Sequence, residues 1–290
     1  MRPVTELTQE LENAYRECER ITWSQARNFA YGIRLLPPAK RRGLATIYAF
    51  ARRIDDIGDG DLPAQTKLDQ LEQARQSLSD LAAHGGDPVL VALDDTARRF
   101  PAVPIEAFGE LIDGCVADVR GTHYETFDDL HYYCRCVAGS IGRLSLGIFG
   151  YRDPQAPVLA DSLGVALQLT NILRDIREDF GNDRVYLPSE DLKKFDCPID
   201  QADDAAHEPQ FRRLIEFEVE RARDWYADGL RLLPLLDWRS AACTGAMAGI
   251  YRRLLEHIAA EPVSVLRGRV SLPTSQKLGV AARALTRRIR

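Results

Sequence analysis

Two clusters of acids in this chain have the type and spacing to hold a cation. They are Asp55-Asp56-Ile57-Gly58-Asp59 and Asp175-Ile176-Arg177-Glu178-Asp179, 120 positions apart. In each, carboxylates recur at i and i+4. On a helix that step leaves the two side chains about 40° apart in azimuth and about 6 Å apart along the axis. Carboxylates so placed repel one another, and a hard divalent cation between them relieves the repulsion. Mg²⁺ characteristically takes one or two carboxylates and keeps its other positions for water and substrate phosphate. The chemistry these residues suggest is magnesium-assisted handling of a diphosphate.

Each acid pair belongs to a longer stripe. Tyr48, Arg52, Asp55 and Asp59 fall at i, i+4, i+7 and i+11, with Ala45, Ile47, Ala49, Phe50 and Ile54 around them. Gln168, Asn171, Asp175 and Asp179 fall at i, i+3, i+7 and i+11, with Arg174 beside the acids and apolar flanks from Leu163 to Leu173. A charged stripe on an apolar helix is costly to bury unless it is paired or metal-bound. A solvated acidic helix end could explain one stripe; two of matching layout point to a shared wet wall. An EF-hand is excluded, because with Gly60 at the invariant glycine the third and twelfth loop positions would be Ile57 and Thr66. Between the stripes, Tyr133-Cys134-Arg135-Cys136-Val137-Ala138-Gly139-Ser140-Ile141-Gly142 puts small residues in mid-helix, which implies close helix packing or room for a ligand. Tyr133 adds a phenol that could orient a proton or face a cation.

The elements that must position these groups read as helices. Pro37-Pro38 opens a run from Ala39 to about Ile57, which Gly58 and Gly60 end. Leu62–Ala83, Val89–Phe100, Pro104–Arg120, Thr126–Gly150, Pro157–Asp179, Glu208–Leu236, Ser240–Ala259 and Ser275–Arg288 are further expected helices. Gly181–Asp191 is expected as a loop with the extended stretch Val185-Tyr186-Leu187. With no alternating strand pattern and no low-complexity linker, an all-α single domain over the 290 residues is expected.

Composition narrows the classes. The chain is 45% hydrophobic, enough for a large core, and its net charge of −5 argues against broad nucleic-acid binding. The six cysteines are scattered, and Cys134-Arg135-Cys136 alone is no zinc pattern, so reduced thiols are expected. The first residues lack an apolar signal region. The longest uncharged runs, Ser162–Leu173 and Ser240–Tyr251, are 12 residues each, short of the roughly 20 a span needs. The expected location is the cytoplasm, with Arg283, Arg287, Arg288 and Arg290 able to touch the anionic inner face of a membrane.

Taken together, the segments 48–59, 133–142, 167–179 and Arg184-Val185-Tyr186-Leu187-Pro188 resemble the squalene and phytoene synthases, which join two prenyl diphosphates head to head. The resemblance runs from about Cys18 to Leu278 and is similar in detail to the bacterial hopanoid-pathway branch that makes presqualene diphosphate. It implies an isoprenoid-synthase helical bundle around a central apolar cavity. It implies Asp55, Asp59, Asp175 and Asp179 as ligands of two or three Mg²⁺ ions, Arg52 and Arg174 as diphosphate-holding catalytic residues, and Tyr133 as a guide of cation and proton steps. Tyr48, Gln168, Asn171, Arg184, Tyr251 and Arg269 would contact substrate. Where relatives place serines before the first motif helix, this chain has Gln25-Ala26-Arg27-Asn28, so Arg27 and Asn28 would replace those contacts. The implied substrate is farnesyl diphosphate, with no NADPH; geranylgeranyl diphosphate, giving phytoene, is the alternative, as is a squalene synthase that completes an NADPH step. A non-catalytic assembly relative should have lost the aspartates that are retained here, and head-to-tail chain elongation lacks the 133–142 and 184–188 segments.

Overall fold

The computed structural model describes residues 9–26, 29–83, 86–198, 205–273, 276 and 279–280; no strand occurs among them. The α-helices are α1 (Gln9–Gln25), α2 (Phe29–Ile33), α3 (Pro38–Asp59), α4 (Ala64–Ser77), α5 (Pro88–Arg99), α6 (Ala107–Val119), α7 (Phe127–Cys134), α8 (Ser140–Phe149), α9 (Ala156–Gly181), α10 (Ser189–Phe195), α11 (Glu208–Gly229), α12 (Trp238–Ala260) and α13 (Ser264–Arg267). Their starts follow local chemistry. Asp87 and Asp237 accept from the first free N–H groups of α5 and α12, and Thr126 with Asp129 makes a capping box on α7.

The helices pack around α9. One apolar cluster joins α9 to α11 and α12 through Leu169, Leu173, Phe211, Ile215, Tyr226 and Leu255. A second joins α1, α3, α5 and α6 through Tyr15, Phe50, Leu93 and Phe108. A third, with Ile33, Leu146, Phe149, Leu159 and Leu232, fills one end of the bundle. Helix α9 is long and apolar enough to cross a membrane by length and composition, but two thirds of its most apolar window (67%) is buried in the bundle, where it serves as the core.

The expected long helix over 126–150 is broken. Residues Arg135–Gly139 form a π-helical turn between α7 and α8, and the Ser140 N–H donates to the Arg135 carbonyl, five residues back. This turn lies directly against α9. A Cβ on Gly164 would sit 2.7 Å from the Ala138 carbonyl, and one on Gly142 would sit 2.7 Å from the Ala160 oxygen. The small residues therefore serve backbone-to-backbone approach. The expected Leu62–Ala83 helix also divides, into α4 and a 3-10 turn at Leu81–Ala83. Glu208–Leu236 changes to 3-10 geometry from Leu230, where Pro234 removes a donor. Helix α10 occupies part of the expected 181–191 loop. The expected helix over 275–288 falls almost wholly outside the described residues, and the four terminal arginines lie wholly outside them.

Gly164→Ala should lower stability by about 1–3 kcal/mol through overpacking, about 2–4 °C in Tm for each kcal/mol. Gly245→Ala, inside α12, meets only the Leu233 side chain at 3.8 Å, and should leave Tm unchanged or raise it slightly. Thermal unfolding of the two variants against the parent checks the contrast.

Candidate active site

Helices α3 and α9 bring their polar stripes to one cavity of about 660 Å³. Tyr48, Arg52, Asp55 and Asp59 come from α3; Gln168, Asn171, Arg174, Asp175 and Asp179 come from α9. Tyr251 of α12, Tyr186 of the segment before α10 and Arg269, just after α13, add to the wall. The residues that share a stripe by spacing thus share a cavity in space. Gln25 and Ala26 also line it, but Arg27 and Asn28 lie outside the described residues.

The carboxylates are paired unequally with cations. Asp175 accepts from Arg174 Nε at 2.8 Å and meets Arg269 Nε at 3.1 Å. Asp59 accepts from Arg184 Nη1 at 3.0 Å, and Arg52 pairs with Asp56 at 2.5 Å. Asp55 and Asp179 fare worse. Burial, followed by the charge of Asp59, pushes Asp55 up to about 7. Burial, followed by the charge of Asp175, pushes Asp179 up to about 7 as well. Two acids held near neutrality by desolvation and like charge mark a place that lacks positive charge.

Two buried polar atoms at the cavity also lack a protein partner: Arg52 Nε, a donor, and Asn171 Oδ1, an acceptor. The donor set is entirely oxygen on the acidic side. Among the described residues no three His, Cys, Asp or Glu side chains gather closely enough to cage an ion. Two facing pairs of carboxylates, each with open positions beside them, suit Mg²⁺ ions that share their coordination with phosphate and water.

Tyr133 stands apart from the cavity wall. It is 5% exposed, and its hydroxyl donates to Asp118 Oδ2 at 2.9 Å. The phenols of Tyr48, Tyr251 and Tyr186 line the cavity, and of these Tyr186 donates to the other oxygen of Asp118 at 2.8 Å. Neither Asp118 nor Tyr186 stands out by spacing: Asp118 has no acidic partner four residues away on α6, and Tyr186 reads as part of an extended stretch and of the 184–188 segment, with no role of its own.

Beneath the polar cavity lies an apolar tunnel of about 270 Å³. Tyr48, Arg52, Asp55, Gln168, Asn171 and Tyr251 line both spaces, so they form the junction. Deeper walls come from Val137 and Ala138 of the π-helical turn, Ile141, Leu146 and Phe149 of α8, Gly164 and Leu167 of α9, and Ile33, Leu232 and Met247. Such a site can hold a charged head at the acids and a hydrocarbon tail in the tunnel.

An all-α bundle with an apolar tunnel running from two facing acidic stripes is the architecture of the isoprenoid synthases. Comparison narrows the class. The squalene/phytoene synthase family profile matches residues 24–276, and the chain belongs to that family, whose members join prenyl diphosphates head to head. The chain is 51% identical over 279 residues to phytoene synthase of Mycobacterium tuberculosis, covering 95% of this chain and 92% of that one. It is 36% identical to 15-cis-phytoene synthase of Synechocystis, covering 92% and 83%. Among solved structures, a dehydrosqualene synthase bound to a ligand superposes with a TM-score of 0.86 at 29% identity, covering 95% and 96%. Squalene synthase HpnC from Alicyclobacillus acidocaldarius superposes at 0.80 with 31% identity, covering 91% and 98%.

The raised acids make a stability prediction. Unfolded aspartates lose their protons near pH 4, whereas Asp55 and Asp179 keep theirs to about pH 7 in the folded, metal-free protein. Folded protein binds the extra protons in that window. Their contribution is fully present below about pH 4 and is lost as pH rises through about 7. In chelator, Tm should fall by several degrees between about pH 5 and about pH 8. Asp55→Asn should shrink that fall, with its largest gain at the higher pH. A calorimetric series showing the same decline in parent and variant would contradict this account.

Proposed function

We propose that the protein condenses two molecules of geranylgeranyl diphosphate head to head and carries the product to phytoene, releasing diphosphate. The reaction class is carried by one observation: the cavity with facing aspartate pairs opens into the apolar tunnel through six shared residues. The C20 choice is supported by the phytoene synthases that are 51% identical along nearly the whole chain. The farnesyl reading, with presqualene diphosphate as product, draws its support from the fold match to dehydrosqualene synthase and HpnC at about 30% identity. It is the second reading.

Mg²⁺, held by Asp55 and Asp59 on one wall and Asp175 and Asp179 on the other, would supply the charge that binds a diphosphate and stabilises it as it departs. Arg52 and Arg174 add fixed positive charge at the same place, and Arg52 Nε has a free donor for a phosphate oxygen. Arg269 now pairs with Asp175 and Glu178 at the rim, from where it can close on the bound head group. Gln168 and Asn171 orient water or phosphate at the junction. The C1–O bond of the donor breaks with its electron pair on diphosphate, leaving an allylic cation. The 2,3 double bond of the acceptor attacks that carbon, and loss of a proton closes a cyclopropane. A second ionisation, ring opening and proton loss give the triene. The tunnel walls exclude water, which would otherwise capture the cation as an alcohol. No reductant enters this sequence, so NADPH is not needed.

Purified protein incubated with Mg²⁺ and no NADPH should convert geranylgeranyl diphosphate to phytoene. Presqualene diphosphate from farnesyl diphosphate, with the C20 substrate untouched, would overturn the C20 choice and establish the second reading. Asp55→Asn and Asp175→Asn should each lower kcat by at least about 100-fold. Unchanged turnover in both would remove the metal-assisted mechanism.

A further inference from the structure

Asp118 stands on α6, outside both acidic stripes, yet two tyrosines donate hydrogen bonds to it. Tyr186 donates to Oδ1 at 2.8 Å and Tyr133 to Oδ2 at 2.9 Å. The three aromatic rings around it are stacked or tilted on one another. Tyr133 and Tyr186 have centroids 5.3 Å apart and an interplanar angle of 28°. Tyr124 lies 5.3 Å from Tyr133 and 6.2 Å from Tyr186. A phenol has one proton and two lone-pair sites. With each proton committed to Asp118, the oxygen of each ring has only acceptor capacity left. Tyr186 alone of the three lines the diphosphate cavity.

The segment that carries Tyr186 is fixed at its far end. Ser189 N–H donates to the Tyr124 carbonyl at 2.9 Å, Glu190 N–H donates to the Glu125 carbonyl at 3.0 Å, and Phe127 N–H donates to Glu190 Oε1 at 2.6 Å. Arg221 of α11 then holds Asp191 at 2.7 Å and Glu218 at 2.8 Å, with its guanidinium 4.0 Å over the Phe127 ring. Turning the Tyr186 hydroxyl toward the cavity would forfeit its bond to Asp118, and this scaffold gives the ring no compensating freedom.

We propose that Asp118 is a positioning residue that fixes Tyr186 as an acceptor and an electron-rich ring on the cavity wall, so that Tyr186, rather than Tyr133, faces the hydrocarbon cation between the two ionisations. The inference rests on the head-to-head prenyl-transfer reading and assigns part of its site. The physical basis is charge complementarity. An oxygen lone pair and a π-face both stabilise positive charge, and a carboxylate hydrogen-bonded behind the phenol increases the electron density on its oxygen. Tyr133 and Tyr124 act as packing that keeps the Asp118 oxygens from turning.

The test uses the full-length protein with Mg²⁺ and whichever prenyl diphosphate, C15 or C20, the parent turns over. Four variants are compared: Tyr186→Phe, Tyr133→Phe, Asp118→Asn and the double Asp118→Asn/Tyr186→Phe. Tyr186→Phe should lower kcat about 10–100-fold with KM within about threefold, because an interaction made mainly after ionisation is lost. The share of turnovers that end as prenyl alcohol should rise. Tyr133→Phe should do less on both measures. Asp118→Asn should reproduce Tyr186→Phe, since an amide would donate to one phenol and turn its hydroxyl away. The double variant should be no worse than about the stronger single one, as expected of residues acting as one unit.

Full turnover by Tyr186→Phe, a deeper loss in Tyr133→Phe, or multiplicative losses in the double variant would each overturn the proposal. Circular dichroism and Tm identify a variant that fails to fold. If Asp118→Asn is one, Tyr186→Phe against Tyr133→Phe still decides, because each removes a single oxygen. A parent that turns over neither diphosphate would sink the prenyl-transfer reading together with this one, whereas the variant pattern sinks this one alone.

Discussion

Like-charge repulsion beside a low-dielectric tunnel is the constraint on which the rest of this molecule depends. Asp55 and Asp59 face Asp175 and Asp179 across one cavity, and the space beneath them is apolar. Water cannot relieve the repulsion there as it would at a surface. Asp55 and Asp179 register it by holding protons to about pH 7. The surrounding arginines relieve part of it: Arg184 on Asp59, and Arg174 and Arg269 on Asp175. These ion pairs are the cationic partners that the chain itself offers the acids. On the proposed prenyl-transfer reading, cations and a diphosphate would supply the missing charge of both signs, and the same arginines would then be free to hold phosphate. On that reading the same few side chains would set both the stability of the fold and its affinity for diphosphate.

Such a cavity survives only if the backbone around it is held apart from the acids and tightly closed elsewhere. Helix α9 does both, with one face carrying the polar stripe and the other buried among α11 and α12. The π-helical turn at Arg135–Gly139 lets Val137 and Ala138 face the tunnel while its backbone rests on Gly164. A regular helix at that point would rotate every following side chain by about a quarter of a turn, and α8 would no longer present Ile141 and Phe149 to the tunnel. π-Helical turns recur at functional sites because they re-aim side chains in this way.

Much of this was legible in the amino-acid sequence, and the limits were physical. The i, i+4 acids and their stripes on α3 and α9 announce themselves because helix periodicity is local. Their meeting in one cavity was expected from their matching layout, and the structure brings them together. Asp118 was not visible: a lone aspartate in Cys115-Val116-Ala117-Asp118 has no periodic partner, and its importance comes from two tyrosines 15 and 68 residues away. Helix α1 was not anticipated, and α10 was hidden among turn-forming residues. Seven residues make a marginal helix by themselves, and tertiary contacts through Asp191 and Arg221 sustain it. The π-helical turn has no sequence signature beyond small residues, which ordinary close packing explains equally well.

Substrate length escapes the motifs for a related reason. Head-to-head condensation of C15 and of C20 diphosphates begins with the same ionisation, the same attack and the same ring closure. The aspartates, arginines and amides proposed for those steps would then be common to both reactions and would not distinguish them. A resemblance read from motif residues therefore favours whichever branch shares flanking turns, whereas identity along the whole chain also samples the tunnel walls. Those walls come from scattered positions on α2, α8, the 3-10 turn after α11, and α12: Ile33, Leu146, Phe149, Leu232 and Met247. On the C20 reading, five more carbons per chain would be accommodated among these side chains, away from the acids. Each is an ordinary apolar residue on an ordinary helical or turn segment, so its bearing on specificity appears only when the fold brings it to the tunnel.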